Sequence, residues 1–286
     1  MTKGILIFAH NNRDIDYALM SIISAGLARK HLNAPATLVT DASTKAWMVE
    51  SDIYNKAQEI FENIIEVEKP VTDNKRVLHD GDLQKTVPFT NANRANAWEL
   101  TPYDRTLLLD SDFLIFSDRL NDYWDLEDDV LIAESMNDMV GESRKGYHDC
   151  YVSDTGVHLY WATTVMFTKN ETSKMFFDTV NFVKENYQYY GDLFRFNTQQ
   201  YRNDISFSVA KHILSGFEKA EGGLPPVLTT IGQDILHSVD ENGKLTFLIN
   251  HMLDGKFCAT SIKNTDIHVM NKQSLVRNAD ALMRLL

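Results

Sequence analysis

Short apolar runs alternate with longer segments of helical periodicity in the first part of the chain. The apolar runs predict four buried strands, at Gly4–Ala9, Ala36–Thr40, Asn63–Val67 and Leu107–Leu109. Between them, apolar residues recur on one helix face, which predicts helices at Asp16–His31, Trp47–Phe61 and Thr90–Leu100. Such an alternation is typical of a mostly parallel sheet covered by helices, so the sequence predicts an α/β fold.

The second part of the chain is less regular. Its apolar runs predict strands at Val130–Glu134 and Val157–Thr168, and its periodic segments predict helices at Glu171–Tyr190, Arg202–Leu214 and Leu275–Leu286. No internal repeat, low-complexity block or linker interrupts the sequence. We therefore expect a single domain over residues 1–286.

Polar residues follow the predicted strands at the points where the strands end. They are His10, Asn11, Asp41, Asp110 and Asp112. Ligands of open α/β sheets bind at the carboxyl ends of the strands. These residues are therefore expected to share one crevice.

The sequence Asp110-Ser111-Asp112 joins two apolar runs and carries the clearest chemistry. Carboxylates at the end of a buried strand are costly unless a positive charge meets them, and a divalent cation that also binds a phosphate is a common solution. In an extended segment, residues two apart point to the same side, so one cation can meet both. The alternative is a turn with two solvated acids.

Composition and charge narrow the class of protein. The chain has 286 residues and a formal net charge of −12 without a Lys or Arg run, which argues against nucleic acid as a partner. No segment approaches the roughly 18 apolar residues of a membrane span, and Lys3 alone near the N-terminus does not make a secretory signal. Two cysteines, Cys150 and Cys258, are too few for a disulfide framework, so we expect a cytoplasmic protein.

The segment from Arg94 to Asp112 resembles the retaining glycosyltransferase family that contains glycogenin and the bacterial lipopolysaccharide galactosyltransferases. In that family a basic residue starts a helix, and Leu-x-x-Tyr, a basic residue, a strand and Asp-x-Asp follow; here these are Arg94, Leu100-Thr101-Pro102-Tyr103, Arg105, the strand and Asp110-Ser111-Asp112. The resemblance implies a GT-A fold, metal binding by Asp110 and Asp112, and nucleotide-sugar binding by Arg94 and Ser111. Read without the resemblance, Arg94 is a charge on a helix surface.

The N-terminus fits the same resemblance. The family opens with a strand, a polar turn and an aromatic residue that stacks on uracil; here the turn is Ala9-His10-Asn11-Asn12 and the aromatic is Tyr17. The resemblance implies nucleotide contacts by Ala9, His10, Asn11 and Tyr17, and Asp41 is a candidate for the base or ribose. A core position for Tyr17 and a helix N-cap for Asp41 are the alternatives.

Two C-terminal segments complete the resemblance. Asp266 to Lys272 is similar to the family segment in which a His is the third metal ligand and a Lys binds the diphosphate, which implies these roles for His268 and Lys272; the family's Gly before the Lys is missing here. Imidazole beside two carboxylates favours Mn²⁺ over Mg²⁺. Asn203-Asp204 occupies the place of the family's Asp-Gln pair in swapped order, which implies contact with the transferred sugar; an N-cap is the alternative for Asp204.

Together these features predict a metal-dependent glycosyltransferase that moves a sugar from a UDP-sugar to an acceptor hydroxyl with retention. Residues 1–125 would form the nucleotide-binding half and residues 126–286 the acceptor-side half. The acceptor and the donor sugar stay open, hydroxymethylated DNA included. The alternatives are a nucleotidyltransferase, a non-catalytic nucleotide-sugar-binding protein, and a phosphatase with an Asp nucleophile, whose Asp-x-Asp follows the first strand rather than the fourth.

Overall fold

The computed structural model describes residues 1–70, 73–141, 144, 150–220, 222–251 and 256–286. Its strands are β1 (Lys3–Phe8), β2 (Ala36–Thr40), β3 (Asn63–Glu66), β4 (Lys75–Asp80), β5 (Leu83–Pro88), β6 (Arg105–Leu109), β7 (Phe113–Leu114), β8 (Val130–Ala133), β9 (Met136–Asp138), β10 (Trp161–Thr168), β11 (Val227–Thr229), β12 (Ile235–Val239), β13 (Leu245–His251), β14 (Lys256–Ile262) and β15 (Ile267–His268). Its α-helices are α1 (Tyr17–Leu32), α2 (Ala42–Glu50), α3 (Tyr54–Ile60), α4 (Ala97–Leu100), α5 (Glu171–Glu185), α6 (Tyr187–Phe194), α7 (Asn203–Leu214), α8 (Lys272–Arg277) and α9 (Ala279–Met283). Short 3-10 helices lie at Arg94–Asn96 and Arg119–Tyr123.

A six-stranded sheet forms the centre of the fold, in the order β3-β2-β1-β6-β10-β8. The first four strands of this order are parallel, and β10 runs antiparallel to both β6 and β8. The predicted α/β fold with a mostly parallel sheet is confirmed. Because Ile7 pairs with Leu109, β1 and β6 end side by side, and the residues that follow them share one edge of the sheet.

Alternate residues of the central strands face two different helical layers. Ile5, Ile7, Leu107 and Leu109 pack in one core cluster with α1, whereas Leu6, Phe8 and Leu108 pack in a second with α5 and α7. The second cluster contains edge-to-face aromatic rings, among them Phe176, Phe177 and Phe207. The continuous apolar runs of these strands are therefore explained by burial on both faces.

Several predicted helices are broken where the sequence analysis expected continuous ones. The predicted helix Trp47–Phe61 is wrong, because Asp41 caps α2 well before Trp47 and Asp52, with φ 57°, separates α2 from α3. The predicted helices Glu171–Tyr190 and Leu275–Leu286 each divide into two, at Asn186 and Asn278. In Thr90–Leu100 the structure has a 3-10 turn followed by one α-helical turn.

Several strands outside the central sheet had no counterpart in the sequence analysis, and two antiparallel units are among them. One is the hairpin of β4 and β5, whose two-residue loop begins at Gly81 with φ 60°, a conformation that suits glycine. The other is the antiparallel sheet β12-β13-β14. The hairpin contacts α8, and Arg277 donates hydrogen bonds to Asp80 at 2.6 and 2.7 Å. The hairpin is thereby held beside the C-terminal segment.

A four-stranded sheet, in the order β7-β15-β11-β9, connects the C-terminal segment to the end of β6. His268 pairs with Phe113 across the antiparallel β15–β7 pair. Val269 donates a backbone hydrogen bond of 2.9 Å to the carbonyl oxygen of Asp112. Residues that are distant in sequence are therefore brought to the edge where β6 ends.

A buried ion cluster ties β9 to the segment before β12. The guanidinium of Arg144 donates to Asp138 at 2.6 and 2.7 Å and to both carboxylate oxygens of Asp234 at 2.9 Å. Both carboxylates are buried, and they hold the pKa of Arg144 above its usual range although burial acts in the opposite direction. Such a fully paired cluster fixes the position of β9, which carries Met136 into the cleft described below.

Among the helices of the described residues, none combines the length and the apolar character that crossing a membrane requires.

Candidate functional site

A cleft of about 410 Å³ opens at the edge where β1 and β6 end. Its floor is made by Asp110, Ser111 and Asp112, which follow β6 directly. The backbone turns here, since the amide of Phe113 donates to the carbonyl of Asp110 at 3.2 Å, and Ser24 of α1 donates to the carbonyl of Phe113 at 2.7 Å. The carboxylates are thus placed by a turn rather than by the extended segment that we expected.

Asp110, Asp112 and His268 form a group in which one ligand atom of each lies within 4.8 Å of the others. His268 Nε2 is 3.1 Å from Asp112 Oδ1, and His268 Nδ1 is 3.5 Å from Thr163 Oγ1, which orients the ring. Two carboxylate oxygens and one imidazole nitrogen at this spacing are a ligand set that can hold a divalent metal ion. The residues predicted from the sequence as metal ligands are therefore adjacent.

Two positively charged side chains contact the carboxylates of this group. Arg94 Nη1 donates to Asp110 Oδ1 at 2.7 Å, and the ammonium of Lys272 contacts Asp112 Oδ2. Side-chain exposure is 4% for Arg94 and 16% for Lys272, so both charges are largely shielded from water. Positive charge is thus fixed at the floor of the cleft, where an anionic ligand would meet it.

The two aspartates differ in electrostatic environment. Burial raises the pKa of Asp110, and the positive charge of Arg94 only partly opposes it. Burial also acts to raise the pKa of Asp112, but the charges of Lys272 and His268 outweigh it and hold that pKa well below its usual range. Asp112 in turn keeps the pKa of Lys272 above its ordinary value in spite of burial. Asp112 is therefore the anionic centre of the site.

The guanidinium of Arg94 has hydrogen-bond donors that its contact with Asp110 does not use. In the described part of the chain its Nε and Nη2 are buried without a hydrogen-bond partner. An unsatisfied buried donor is costly, roughly 1–3 kcal/mol for a neutral group and more for a charged one. Arg94 is not the helix-surface charge of the alternative interpretation, because it is 3% exposed and lines the cleft.

Tyr17, the first residue of α1, lines the cleft and is 5% exposed. It also belongs to the core cluster around α1, so both interpretations of this residue are compatible with its place. Burial raises the pKa of its hydroxyl, and the nearby charge of Lys272 opposes the shift. The ring therefore forms a wall of the cleft beside the charged floor.

The other N-terminal candidates brace the loop after β1 and are outside the residues that line the cleft. Asp41 caps α2 by accepting from the amides of Ser43 and Thr44, and its Oδ2 lies 2.9 Å from His10 Nδ1. The amide of Ala9 donates to the carbonyl of Val39 at 2.9 Å. The side-chain oxygen of Asn11 accepts from Ala18 at 2.8 Å and its amide group donates to Asp16 at 3.0 Å. The contacts of Asp41 are therefore those of a helix N-cap, which was the alternative interpretation of this residue.

Asn203 and Asp204 lie in the cleft at the first turn of α7. The N-cap is Arg202, so Asp204 does not cap the helix; its Oδ1 accepts from the amide of Ala162 at 3.1 Å and its Oδ2 from Arg202 at 3.1 Å. Asn203 Nδ2 donates to the carbonyl of Asn91 at 3.2 Å, while its Oδ1 has no partner among the described residues. The structure brings both residues into the same cleft as the metal-ligand group.

Some cleft residues were missed by the sequence analysis. They are Arg76, Phe89, Asn91, Gln200 and Arg202. Arg76 and Phe89 belong to the hairpin and the segment after it, and the dipeptide Asp80-Gly81 between alternating residues was the signal for that turn. Asn91, Gln200 and Arg202 lie in loops, for which local sequence gave no signal.

Neither a protein-family model nor a curated protein sequence matches the chain. Several solved structures that resemble its fold are glycosyltransferases. The apo form of GlyE from Streptococcus pneumoniae TIGR4 is 14% identical, with a TM-score of 0.45 over 78% of this chain and 45% of that one, so this chain spans less than half of that relative. The galactosyltransferase LgtC in complex with donor and acceptor sugar analogs is 16% identical, with a TM-score of 0.42 over 73% and 70% of the two chains. Residues 1–349 of TarS from S. aureus are 14% identical, with a TM-score of 0.36 over 73% and 55%. Function is therefore argued below from the side chains of the cleft.

Proposed function

We propose that this chain is a metal-dependent glycosyltransferase that transfers a sugar from a UDP-sugar to an acceptor hydroxyl with retention of anomeric configuration. The observation that carries the proposal is the group of Asp110, Asp112 and His268, which shares the floor of one cleft with Arg94 and Lys272. Ligands for a divalent cation and fixed positive charges together suit a diphosphate.

The donor would bind along the floor of the cleft. Arg94 and Lys272 would contact the diphosphate, with Ser111 beside it, and Tyr17 would stack on the base. In this arrangement residues 1–125 supply the nucleotide side. Residues 126–286 supply the acceptor side and also contribute His268 and Lys272 to the floor of the cleft. His10, Asn11, Ala9 and Asp41 would act through the loop that they brace, next to the first turn of α1.

Asp110, Asp112 and His268 would hold Mn²⁺, with Mg²⁺ as the other candidate. Bound there, the cation would act as a Lewis acid that neutralises charge on the leaving diphosphate. Arg94 and Lys272 place further positive charge at the same point, so the chain itself also stabilises the leaving group. Asp112 contacts both His268 and Lys272 and thereby keeps these two side chains together.

In the proposed reaction the bond between the anomeric carbon and the diphosphate oxygen breaks, and a bond from the acceptor oxygen forms on the same face. The acceptor proton passes to an oxygen of the leaving diphosphate, so no second carboxylate is needed as a base. Asp204 carries a carboxylate whose pKa is lowered by Arg202 and Arg76 against the effect of burial, and it would stabilise positive charge at the anomeric carbon.

Unsatisfied polar atoms at the cleft support a polyhydroxylated ligand. In the described residues, the side-chain nitrogen of Asn91, the side-chain oxygen of Asn203 and two nitrogens of Arg94 are buried without hydrogen-bond partners. Sugar hydroxyls both donate and accept, so one sugar ring can satisfy this mixture of donors and acceptors. These three residues are the proposed contacts for the transferred sugar.

The test is release of UDP from a panel of UDP-sugars, measured with Mn²⁺ and with a chelator. We expect Mn²⁺-dependent release from at least one donor, lost in Asp110→Asn and Asp112→Asn and kept in Asp125→Asn, whose side chain is 83% exposed. Release that is unaffected by the chelator or by both site variants would refute the metal-dependent reaction.

The same assay separates the alternatives. A nucleotidyltransferase would release pyrophosphate from UTP and a sugar phosphate instead of UDP from a UDP-sugar. A non-catalytic binding protein would bind UDP-sugar with Mn²⁺ and release nothing in any acceptor mixture. Either result would replace the proposed reaction.

A further inference from the structure

Within the part of the chain that the structure describes, Arg76 is a cation of the cleft without a carboxylate partner. The other cleft cations are each paired, Arg94 with Asp110, Lys272 with Asp112 and Arg202 with Asp204. Among the described residues Arg76 forms no ion pair, and its guanidinium carbon lies 3.5 Å from the centroid of the Phe89 ring. A guanidinium that lies over a ring and has no carboxylate partner has N–H groups available for a planar or tetrahedral oxyanion.

Arg202 lies in the same cleft in a similar setting. Its guanidinium carbon is 5.6 Å from the centroid of the Trp161 ring, and its Nη2 donates to Asp204 Oδ2 at 3.1 Å. Its side chain is 41% exposed, so it lies toward the mouth of the cleft rather than at the floor. Two arginines, each beside an aromatic ring, thus line a cleft in a chain whose net charge is −12.

The two arginines converge near Asp204. Both guanidinium charges act on this carboxylate, and both also act on the hydroxyl of Tyr187. Among the described residues, the only ion pair of Asp204 is with Arg202, so the single negative charge at this end does not pair with Arg76. An excess of one positive charge therefore exists at the Asp204 end of the cleft.

We propose that Arg76, assisted by Arg202, binds an oxyanion carried by the acceptor, a phosphate or carboxylate group, so that the acceptor substrate is an anionic hydroxyl compound. This inference rests on the proposed function, in which an acceptor hydroxyl receives the sugar, and it adds the chemical class of that acceptor. A bidentate contact from a ring-stacked guanidinium discriminates an oxyanion from a hydroxyl by charge and by geometry.

Position assigns the oxyanion to the acceptor rather than to the donor diphosphate. The diphosphate already has Lys272 and Arg94 beside the metal-ligand group, at the floor. Arg76 comes from the hairpin β4–β5, which lies outside the six-stranded sheet, and its neighbours Lys75 and Val77 are exposed. Arg76 therefore supplies positive charge beyond the two cations that we assign to the diphosphate, and we assign that charge to a second oxyanion, on the acceptor.

The experiment is a calorimetric titration of the chain saturated with UDP and Mn²⁺, using glycerol 3-phosphate, glycerate and glycerol as probes. We expect one or both anions to bind and glycerol not to bind; the stronger of the two identifies phosphate or carboxylate. Arg76→Gln should weaken anion binding by at least about tenfold, as expected for losing hydrogen bonds to a charged group. Arg76→Lys, which keeps the charge without the planar fork, should recover part of the loss.

Lys75→Gln is the matched control, since it removes one positive charge from the adjacent, exposed position of the same strand. It should leave anion binding unchanged, and melting temperatures should show that each variant is folded. The inference is overturned if glycerol binds as well as the anions or none of the probes binds. Equal losses in Arg76→Gln and Lys75→Gln, or a loss of UDP affinity in Arg76→Gln equal to the loss of anion affinity, would also overturn it.

Failure of the proposed function gives a different result. If the chain binds no UDP at all, the same probes are titrated without nucleotide. Anion binding that still depends on Arg76 would then support the oxyanion site and refute the glycosyltransferase, whereas UDP binding without Arg76-dependent anion binding would do the reverse.

Discussion

Nε2 of His268 lies 3.1 Å from Oδ1 of Asp112, although Asp112 lies in the turn between β6 and β7 and His268 belongs to β15, far along the chain. The backbone sets this contact. His268 pairs with Phe113, and the amide of Val269 donates to the carbonyl of Asp112 at 2.9 Å, so the imidazole is held by strand pairing rather than by a loop. A position fixed in this way suits a metal ligand.

Replacing His268 tests this role directly. We expect His268→Ala to weaken Mn²⁺ binding by about tenfold or more, the size of effect seen when groups around a metal are removed. His237→Ala, on the exposed side of β12, should leave Mn²⁺ affinity unchanged. Titration with Mn²⁺ by calorimetry measures both, and equal affinities in the two variants would contradict the assignment.

The two aspartates should differ in their effect on stability without metal. Burial already disfavours the charged form of Asp110, so Asp110→Asn, which retains a hydrogen-bond acceptor for Arg94, should lower the free energy of unfolding less than Asp112→Asn does. Asp112→Asn removes the charge that Lys272 and His268 face, and loss of one partner of a buried pair costs about 3 kcal/mol or more. Urea unfolding in chelator measures the difference; a larger loss in Asp110→Asn would contradict the electrostatic argument.

The pair of His10 and Asp41 predicts acid sensitivity. Burial acts to raise the pKa of Asp41, but hydrogen bonds from Ser43, His10 and Thr44 bring it down from 3.8 to about 2. A carboxyl group with a lowered pKa stabilises the fold above its unfolded value and loses that contribution as the pH falls from about 4 to about 2, about 2 kcal/mol in all. Burial lowers the pKa of His10, so protonation of the unfolded chain below about pH 6.5 also reduces stability.

Asp41→Asn should therefore flatten the dependence of the unfolding free energy on pH between about 4 and 2. Chemical denaturation at a series of pH values measures this slope. Asp125→Asn, at an exposed position, should keep the slope of the parent chain. A parental slope in Asp41→Asn would show that the carboxylate does not stabilise the fold in this range.

Tyr17 distinguishes base stacking from core packing. Tyr17→Ala should weaken UDP binding by about 1–3 kcal/mol, the range for losing a stacked base, and Tyr17→Phe should retain most of the affinity. Both variants are measured by UDP titration at a temperature where melting curves show them folded. Parental UDP affinity in folded Tyr17→Ala would assign the ring to the core around α1.

The central sheet followed from the sequence, whereas the hairpin and the outer sheet did not. Strands such as β1 and β6 are buried on both faces, and continuous apolar runs identify them without tertiary information. In β5 almost every residue is exposed, so the alternation that marks a half-buried strand is absent, and only the turn at Gly81 marked the hairpin. Strands whose stability depends mainly on pairing and packing with neighbouring elements show little hydrophobic alternation in their own sequence.

The same reasoning separates the predicted from the missed parts of the site. Asp110 and Asp112 stand out because they interrupt apolar sequence, and His268 was found only through a family resemblance. Arg76 and Arg202 owe their place in the cleft to tertiary contacts with Phe89 and Trp161, which no local pattern encodes. For Asp41, its capping contacts show how a polar residue after a strand can serve the helix instead of the ligand.

The pairing of β7 with β15 joins the metal-ligand group to the docking of the C-terminal segment. His268 and Lys272 belong to β15 and α8, so a chain that has released this segment keeps Asp110 and Asp112 but lacks the third ligand, His268, and the ammonium of Lys272. A cation that binds only the docked state stabilises docking by mass action, about 2.7 kcal/mol at a concentration one hundred times its dissociation constant. Local opening of the C-terminus, measured by amide hydrogen exchange, thus becomes a thermodynamic readout of metal occupancy that is independent of catalysis.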